Sequence, residues 1–263
     1  MAYKILKPEV MSVSSTAWKQ AKTSWWFWGF VVASFSEAYF LGNYWLFLLI
    51  MFYIMSATNK ARDAFWNQVA KNNGWQYKGV VDDVGEPGIM FKQGKGQDIT
   101  HLIEGRVEGR PFRMFNYSFK IGEDKNETSY WYTVFAFKFD GTFPHIYLNN
   151  KHNSYSISAG EKLPIPREFE KQFTLSAPRK YETEALEIFT PDIFTKLLDG
   201  GFTHDVELVD HELLMFVDGS TDNFKKLEKE FNRAVELEEL FDEKLDRFKF
   251  ERVGNLSTGL KEH

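Results

Sequence analysis

The sequence predicts an α+β protein with an N-terminal transmembrane helical hairpin, followed by a mainly antiparallel β domain with a packed helix and a long C-terminal helix. Three patterns predict it. An aromatic-rich apolar block runs from residue 25 to residue 55, with Glu37 as its only charged residue. From Trp75 onward, apolar residues alternate with the period of two that is typical of strands. From Asp222 onward, they recur every three or four residues, as on one face of a helix.

The composition excludes several classes of function. The chain has 263 residues, of which 43% are hydrophobic and 17% aromatic, so it can bury a sizeable core. Its 32 Lys and Arg residues are outnumbered by 37 Asp and Glu residues, which gives no general attraction to nucleic acid, and we predict no nucleic-acid partner. The absence of Cys excludes disulfides, thiolate nucleophiles, iron–sulfur clusters and cysteine-bearing zinc sites.

The apolar block is longer than the ~20 residues that a membrane-spanning helix needs. A buried helix of a water-soluble core is the alternative, but such helices usually show a polar stripe, which this block lacks. One straight helix over the block would be about 46 Å long. It would also hold Glu37 near the bilayer centre, at a cost of roughly 2.5–3.5 kcal/mol. A hairpin with its turn at residues 36–43 avoids both problems, so the sequence favours two spans over one.

The flanking charges indicate which side of the membrane each end occupies. Lys19 and Lys22 precede the block, and Lys60 and Arg62 follow it. Basic flanks tend to stay in the cytoplasm, and an even number of spans puts both there. We therefore predict an integral protein of the inner (cytoplasmic) membrane, with membrane lipid as a partner and the soluble domain in the cytoplasm. The residues expected to anchor it are Trp25, Trp26, Trp28, Trp45, Phe47 and Phe52.

The remaining pattern divides the chain into successive segments. The two-residue period after the block predicts a meander of strands, with a hairpin at residues 108–110, where Gly109 can adopt positive φ. A helix at residues 179–198 and a hairpin joining residues 206–209 to 213–217 follow. The predicted segments are a tail (1–16), a membrane segment (17–58), a helical stalk (59–74), a soluble α+β domain (75–250) and a flexible tail (251–263).

The long helix at residues 222–248 allows two interpretations. Its apolar stripe includes Phe224, Phe231, Phe241, Leu245 and Phe248. Such a stripe packs against the sheet of its own domain or forms a coiled-coil contact with a second copy. Packing within the domain is favoured because further leucines broaden the stripe, but self-association through this helix, or binding of another protein, stays open.

Four polar residues near the predicted hairpin are the only cluster with candidate catalytic chemistry. His204-Asp205 and Asp210-His211 carry nitrogen and oxygen ligands of the kind that bind divalent metals. However, the intervening strand holds the two pairs roughly 15 Å apart when extended. Turn residues explain the cluster better, so we predict no metal site and no cofactor.

Two segments near residue 180 carry a family resemblance. Residues 169–176 are Phe-Glu-Lys-Gln-Phe-Thr-Leu-Ser, residues 184–186 are Glu-Ala-Leu, and residues 189–198 are Phe-Thr-Pro-Asp-Ile-Phe-Thr-Lys-Leu-Leu. They resemble an uncharacterised bacterial family of membrane-anchored proteins, a domain of unknown function with N-terminal transmembrane segments and a β-rich soluble domain. The family usually has an Asp soon after the Ser and an Arg after the acidic-Ala pair, where this chain has Ala177-Pro178 and Leu186. The resemblance implies this layout and no activity.

Two functional hypotheses follow from the sequence. The first is a membrane-tethered, non-enzymatic scaffold or assembly protein that interacts through its soluble domain. The second is a membrane-bound, metal-dependent hydrolase or transferase that uses His204, Asp205, Asp210 and His211. The sequence favours the scaffold, because it contains an anchor and a folded domain but no recognisable catalytic motif.

Overall fold

A computed structural model of the protein describes residues 3–41, 45–82, 85–123 and 126–259, with side chains described as far as residue 242. The described chain is α+β with an antiparallel sheet. The strands are β1 (Gln76–Val81), β2 (Lys95–Val107), β3 (Arg110–Ile121), β4 (Thr128–Asn150), β5 (Glu161–Lys162), β6 (Phe173–Ala177) and β7 (Asp205–Asp218). The helices are α1 (Val13–Thr23), α2 (Trp25–Leu41), α3 (Trp45–Asn72), α4 (Arg167–Glu170), α5 (Glu182–Ile188), α6 (Pro191–Asp199) and α7 (Phe224–Gly259).

The sheet is organised around β4. Its path is β1-β2-β3-β4-β6-β5, and β7 also pairs with β4. β4 pairs with β3 through residues 128–137, with β7 through residues 132–148 and with β6 through residues 147–150. Phe135 points into the core on one face and Val134 into the core on the other. β4 is therefore a central strand that is covered on both faces.

The two faces of the sheet are covered differently. One face packs against α3, α7 and the N-terminal segment, which together form the larger core. The other face buries Phe115, Phe119 and Phe216 beneath the segments that contain Met90 and Ile157. Helices therefore cover one face, and connecting segments cover the other.

No helix in the described ranges is both long enough and apolar enough to cross a membrane. The predicted N-terminal transmembrane hairpin is therefore wrong, and so is the prediction of an integral protein of the cytoplasmic membrane. The chain divides the predicted membrane segment (17–58) differently from the prediction. Ser24 is non-helical and separates α1 from α2, which has 17 residues. The apolar start of α3 runs into Lys60 and Arg62.

The predicted turn also differs from the structure. Residues 36–41 belong to α2 and are helical. Gly42, Asn43 and Tyr44, which the hairpin prediction placed in the turn and at the start of the second helix, lie outside the described residues. Nothing in the 36–41 stretch interrupts a helix, because Gly and Pro are absent from it.

The segment before α2 packs against the domain. α1 buries Val13, Ala17 and Ala21 and contacts α3 along its length. Backbone hydrogen bonds join this segment to the start of α7, from Val13 N to Asp222 O at 3.0 Å and from Phe224 N to Met11 O at 2.9 Å. Residues near the N-terminus thereby hold α3 and α7 together.

The stripe of α7 packs within the domain as far as the side chains are described. Phe224, Leu227, Phe231, Ala234 and Phe241 are fully buried in the larger core. The side chains of Leu245 and Phe248 lie outside the described residues. Self-association through the C-terminal part of the helix stays a prediction.

Candidate functional site

The four polar residues at 204–211 lie on one strand and not on a hairpin. β7 runs without a turn from Asp205 to Asp218, so the predicted hairpin is wrong. Asp210 has φ 52° and lies beside register shifts in the pairing of β7 with β4. An Asp with positive φ is compatible with a bulge as well as with a turn. The turn-like residues at this position therefore did not require a hairpin.

The four side chains differ in burial and in hydrogen-bond partners. His204 Nε2 lies 2.7 Å from Glu230 Oε2 on α7, and both side chains are buried. Asp205 Oδ1 accepts a hydrogen bond from Asn150 N at 2.6 Å, and burial raises the pKa of Asp205 to about 7.

The other two residues face solvent. Asp210 is exposed, and so is His211, whose Nδ1 donates to Gly141 O at 2.9 Å. The structure does not bring the four together. Within the described ranges, no group of three or more His, Asp or Glu side chains is arranged to hold a metal ion.

The outer faces of α2 and α3 form a large apolar surface. Phe35 and Phe47 rings lie 5.8 Å apart, and Phe27 and Tyr53 rings 6.1 Å apart, so the two helices pack on each other through aromatic contacts. Outside these contacts, Trp25 is 69% exposed and Phe52 is 62% exposed. We call the exposed set the apolar helix surface: Trp25, Trp26, Trp28, Val32, Phe35, Tyr39, Phe40, Trp45, Leu48, Leu49, Met51, Phe52 and Met55.

The residues predicted to set the topology lie around this surface. Lys19, Lys22 and Lys60 are exposed, whereas Arg62 Nε and Nη2 both donate to Asp222 Oδ2, at 3.0 and 2.7 Å. Glu37 is half-buried on α2. Of the six predicted anchors, Phe47 is half-buried and the other five belong to the apolar helix surface. Three exposed lysines therefore lie near the apolar helix surface.

A polar cleft opens between α3 and one end of the sheet. Its volume is about 450 Å³, within the range of roughly 300–1,000 Å³ that is typical of small-molecule sites. α3, all four of the strands β1 to β4 and Ser220 contribute to its walls. Its lining side chains include Arg62, Asp63, Asp98, His101, Asn116 and Trp131.

His101 occupies an unusual backbone position in this cleft. Its φ is 57°, and β2 shifts register beside it against both β1 and β3. The ring stacks on Trp66 at a centroid distance of 6.0 Å, and only 8% of the residue is exposed. Positive φ is uncommon outside Gly and is often found where a side chain must point in a particular direction. Here it places the imidazole at the cleft.

Two neighbours orient the imidazole. Tyr77 hydroxyl lies 2.9 Å from His101 Nδ1 and donates to Asp63 Oδ1 at 3.2 Å. Burial lowers the pKa of His101, although Asp63 opposes this shift. Burial first, and then Asp63, raise the pKa of Tyr77. The His101 ring is therefore neutral at pH 7, and the Tyr77 hydroxyl keeps its proton.

A group of charges is buried on the opposite face of the sheet. Arg113 Nη2 donates to both carboxylate oxygens of Glu212, at 2.6 and 2.7 Å, and to Glu86 Oε2 at 3.0 Å. Burial raises the pKa of Glu86 to about 8, with Arg113 lowering it and Glu212 raising it. Glu86 lies between β1 and β2, so these pairs fasten the connecting segment to the sheet.

Neither the cleft nor the buried charges could be recognised as a motif in the sequence. Asp63, Tyr77 and His101 come from a helix and two strands, and their spacing carries no signature. The one local signal is His101 itself, which interrupts the alternation of β2. Contacts between distant segments create both groups.

Comparisons with known proteins give little further guidance. No family model and no curated protein matches the chain. Among solved structures, it is similar to the crystal structure of the mycobacterial trehalose monomycolate transport factor A, TtfA, at 14% identity. The match covers 66% of this chain and 92% of that chain, with a TM-score of 0.44. A likeness this weak assigns neither fold nor function, and the family resemblance near residue 180 stays a prediction.

Proposed function

We propose that the protein is a non-enzymatic scaffold or interaction protein whose apolar helix surface contacts membrane lipid without crossing the bilayer. The observation that carries this proposal is the exposure of so many large apolar side chains on α2 and α3. Contiguous exposed apolar patches of more than a few hundred Å² are rare in isolated soluble proteins and usually mark interaction sites.

The distribution of these side chains favours lipid over a protein partner. At about 100° per residue, the exposed residues of α2 cover about half of its circumference, and those of α3 cover a similar arc. Apart from Phe35, no arc residue makes a ring contact between the helices in the described ranges, so the pair is apolar over much of its outer surface. A protein docked on one side would leave the other side in water, whereas lipid covers all of it.

The basic residues around the apolar helix surface also favour lipid as the partner. Lys19, Lys22 and Lys60 are exposed near the apolar helix surface. A Lys near an anionic lipid surface contributes about 1 kcal/mol of attraction. The sheet domain that follows α3 stays in water. Its surfaces are free to bind other molecules, and this binding is the scaffold function that we propose.

Vesicle flotation of the full chain tests the proposal. The vesicles contain phosphatidylcholine with phosphatidylglycerol, and we expect the wild-type chain to float with them. Burial of one Phe contributes about 1.5–3 kcal/mol, so the double variant Phe40→Glu, Phe52→Glu should bind at least about tenfold more weakly.

A matched control separates this effect from added charge. Leu6 and Val80 are also exposed, at 53% and 71%, but lie outside the apolar helix surface. The double variant Leu6→Glu, Val80→Glu should float like the wild type. The proposal is wrong if the wild type stays in solution, or if both double variants lose binding equally.

A further inference from the structure

The cleft between α3 and the sheet has an uncompensated negative charge. Its one lining cation, Arg62, is held by two hydrogen bonds to Asp222. Asp63 and Asp98 form no ion pair with Lys or Arg in the described part of the chain, and the Asp63 carboxylate is 64% exposed. Burial disfavours the charged form of His101 beside Asp63, since it lowers the pKa of the imidazole. The cleft therefore attracts cations, and Arg62 is not free to hold an anion.

His101 supplies a hydrogen-bond acceptor inside the same cleft. Asp63 is the stronger acceptor for the Tyr77 hydroxyl, so the Tyr77 oxygen accepts a hydrogen bond from His101 Nδ1–H. The other ring nitrogen, Nε2, then carries a lone pair. It makes no hydrogen bond within the described residues, although the residue is more than nine-tenths buried and lines the cleft. A ligand that donates a hydrogen bond would satisfy it.

Trp131 provides an aromatic surface at the cleft. It lies on β4, is 58% exposed and contacts no other aromatic ring in the described chain. An exposed indole face binds cations and the alkyl chains attached to them. A bare metal ion fits less well, because the described residues include no group of three ligands that could hold one.

We propose that this cleft binds a primary ammonium group on a small organic molecule. Asp63 and Asp98 supply the charge, His101 Nε2 accepts a hydrogen bond from the ammonium, and Trp131 covers the attached alkyl chain. An ammonium donates three hydrogen bonds and accepts none, which matches these acceptors. The inference is independent of lipid binding, because it uses residues outside the apolar helix surface.

Calorimetric titration of the full-length chain, kept in solution with a non-ionic detergent, tests this inference. The probe is 1,5-diaminopentane, and the neutral comparison is 1,5-pentanediol, which has the same chain length. Replacing one of the two Asp residues by Asn removes one of the charges that attract the ammonium. We therefore expect the diamine to bind the wild type, and Asp98→Asn and Asp63→Asn each to weaken that binding about tenfold or more.

Asp140→Asn is the matched control, because Asp140 is an exposed residue of β4 that does not line the cleft. It should leave the affinity unchanged, and Trp131→Leu should weaken it. The inference is overturned if the diamine does not bind the wild type or if the diol binds as tightly. It is also overturned if Asp140→Asn weakens binding as much as Asp98→Asn does. None of these results depends on vesicle binding, so the two proposals fail separately.

Discussion

Replacing Phe231 by Ala should lower the free energy of unfolding by about 3–5 kcal/mol, the usual cost of truncating a buried Phe. Phe231 lies on α7 and is fully buried. Its ring contacts those of Trp75 at 5.3 Å, Phe112 at 5.4 Å and Phe135 at 6.0 Å. The substitution therefore leaves a cavity where the long helix meets the sheet.

The contact with Tyr3 adds a second consequence. The Phe231 and Tyr3 rings lie 5.7 Å apart, so the cavity also loosens the N-terminal segment. Urea unfolding followed by tryptophan fluorescence measures the change. Phe52→Ala is the control, because that side chain is 62% exposed and its loss should cost within about 0.5 kcal/mol. A loss below about 1 kcal/mol at Phe231 would show that α7 does not pack on the sheet as described.

Replacing Arg113 by Met should cost about 3 kcal/mol at pH 8, because it leaves two carboxylates buried without their cation. The Glu86 side chain is fully buried and that of Glu212 is 11% exposed. Both lose the guanidinium hydrogen bonds that now hold them. The segment between β1 and β2 loses its attachment to the sheet at the same time.

The effect should depend on pH in a defined direction. Glu86 has a pKa of about 8 in the folded protein, against an ordinary value of 4.5. A carboxyl whose pKa is raised on folding contributes stability that is fully present below pH 4.5 and lost as pH rises through 8. Without Arg113, which lowers this pKa, the loss is greater and extends to higher pH. The difference between variant and wild type should therefore stay level while Glu86 is protonated in both folded proteins and grow as pH rises above about 8.

Urea unfolding at a series of pH values from below 8 to above it is the measurement. Glu86→Gln in the Arg113→Met background should recover part of the stability at pH 8 by removing one buried charge. Lys78→Met is the control, since the pair between Lys78 and Glu104 is partly exposed and worth about 0–1 kcal/mol. A pH-independent difference for Arg113→Met, equal to that of the control, would contradict the arrangement.

Local sequence patterns predicted the regular parts of the fold well. The hairpin at residues 108–110 is confirmed, because Glu108 and Gly109 both have positive φ, at 52° and 87°, and Val107 pairs with Arg110. The stripe of α7 is buried against its own sheet, as the broad apolar face indicated. In both cases the residue pattern within one continuous segment is enough to predict its conformation.

The errors and omissions depend on contacts between distant segments. Asp210 carries the signal of a turn, but pairing with β4 along both sides of it makes the segment a bulge in one strand. The predicted membrane segment is interrupted at Ser24, because α1 turns its small residues towards α3 and does not continue into α2. The cleft at His101 needs α3, β1, β2, β3 and β4 together. No pattern in a single segment contains that information.

Fluorescence quenching by lipids with bromine atoms on their acyl chains tests most directly whether the apolar helix surface contacts lipid. Trp25, Trp26, Trp28 and Trp45 belong to this surface, whereas Trp66 and Trp75 are buried in the domain. We expect strong quenching of the vesicle-bound wild type. A variant with Phe at positions 25, 26, 28 and 45 should still bind and lose most of that quenching. Equal quenching of the two proteins, or none of the wild type, would contradict lipid contact at the apolar helix surface.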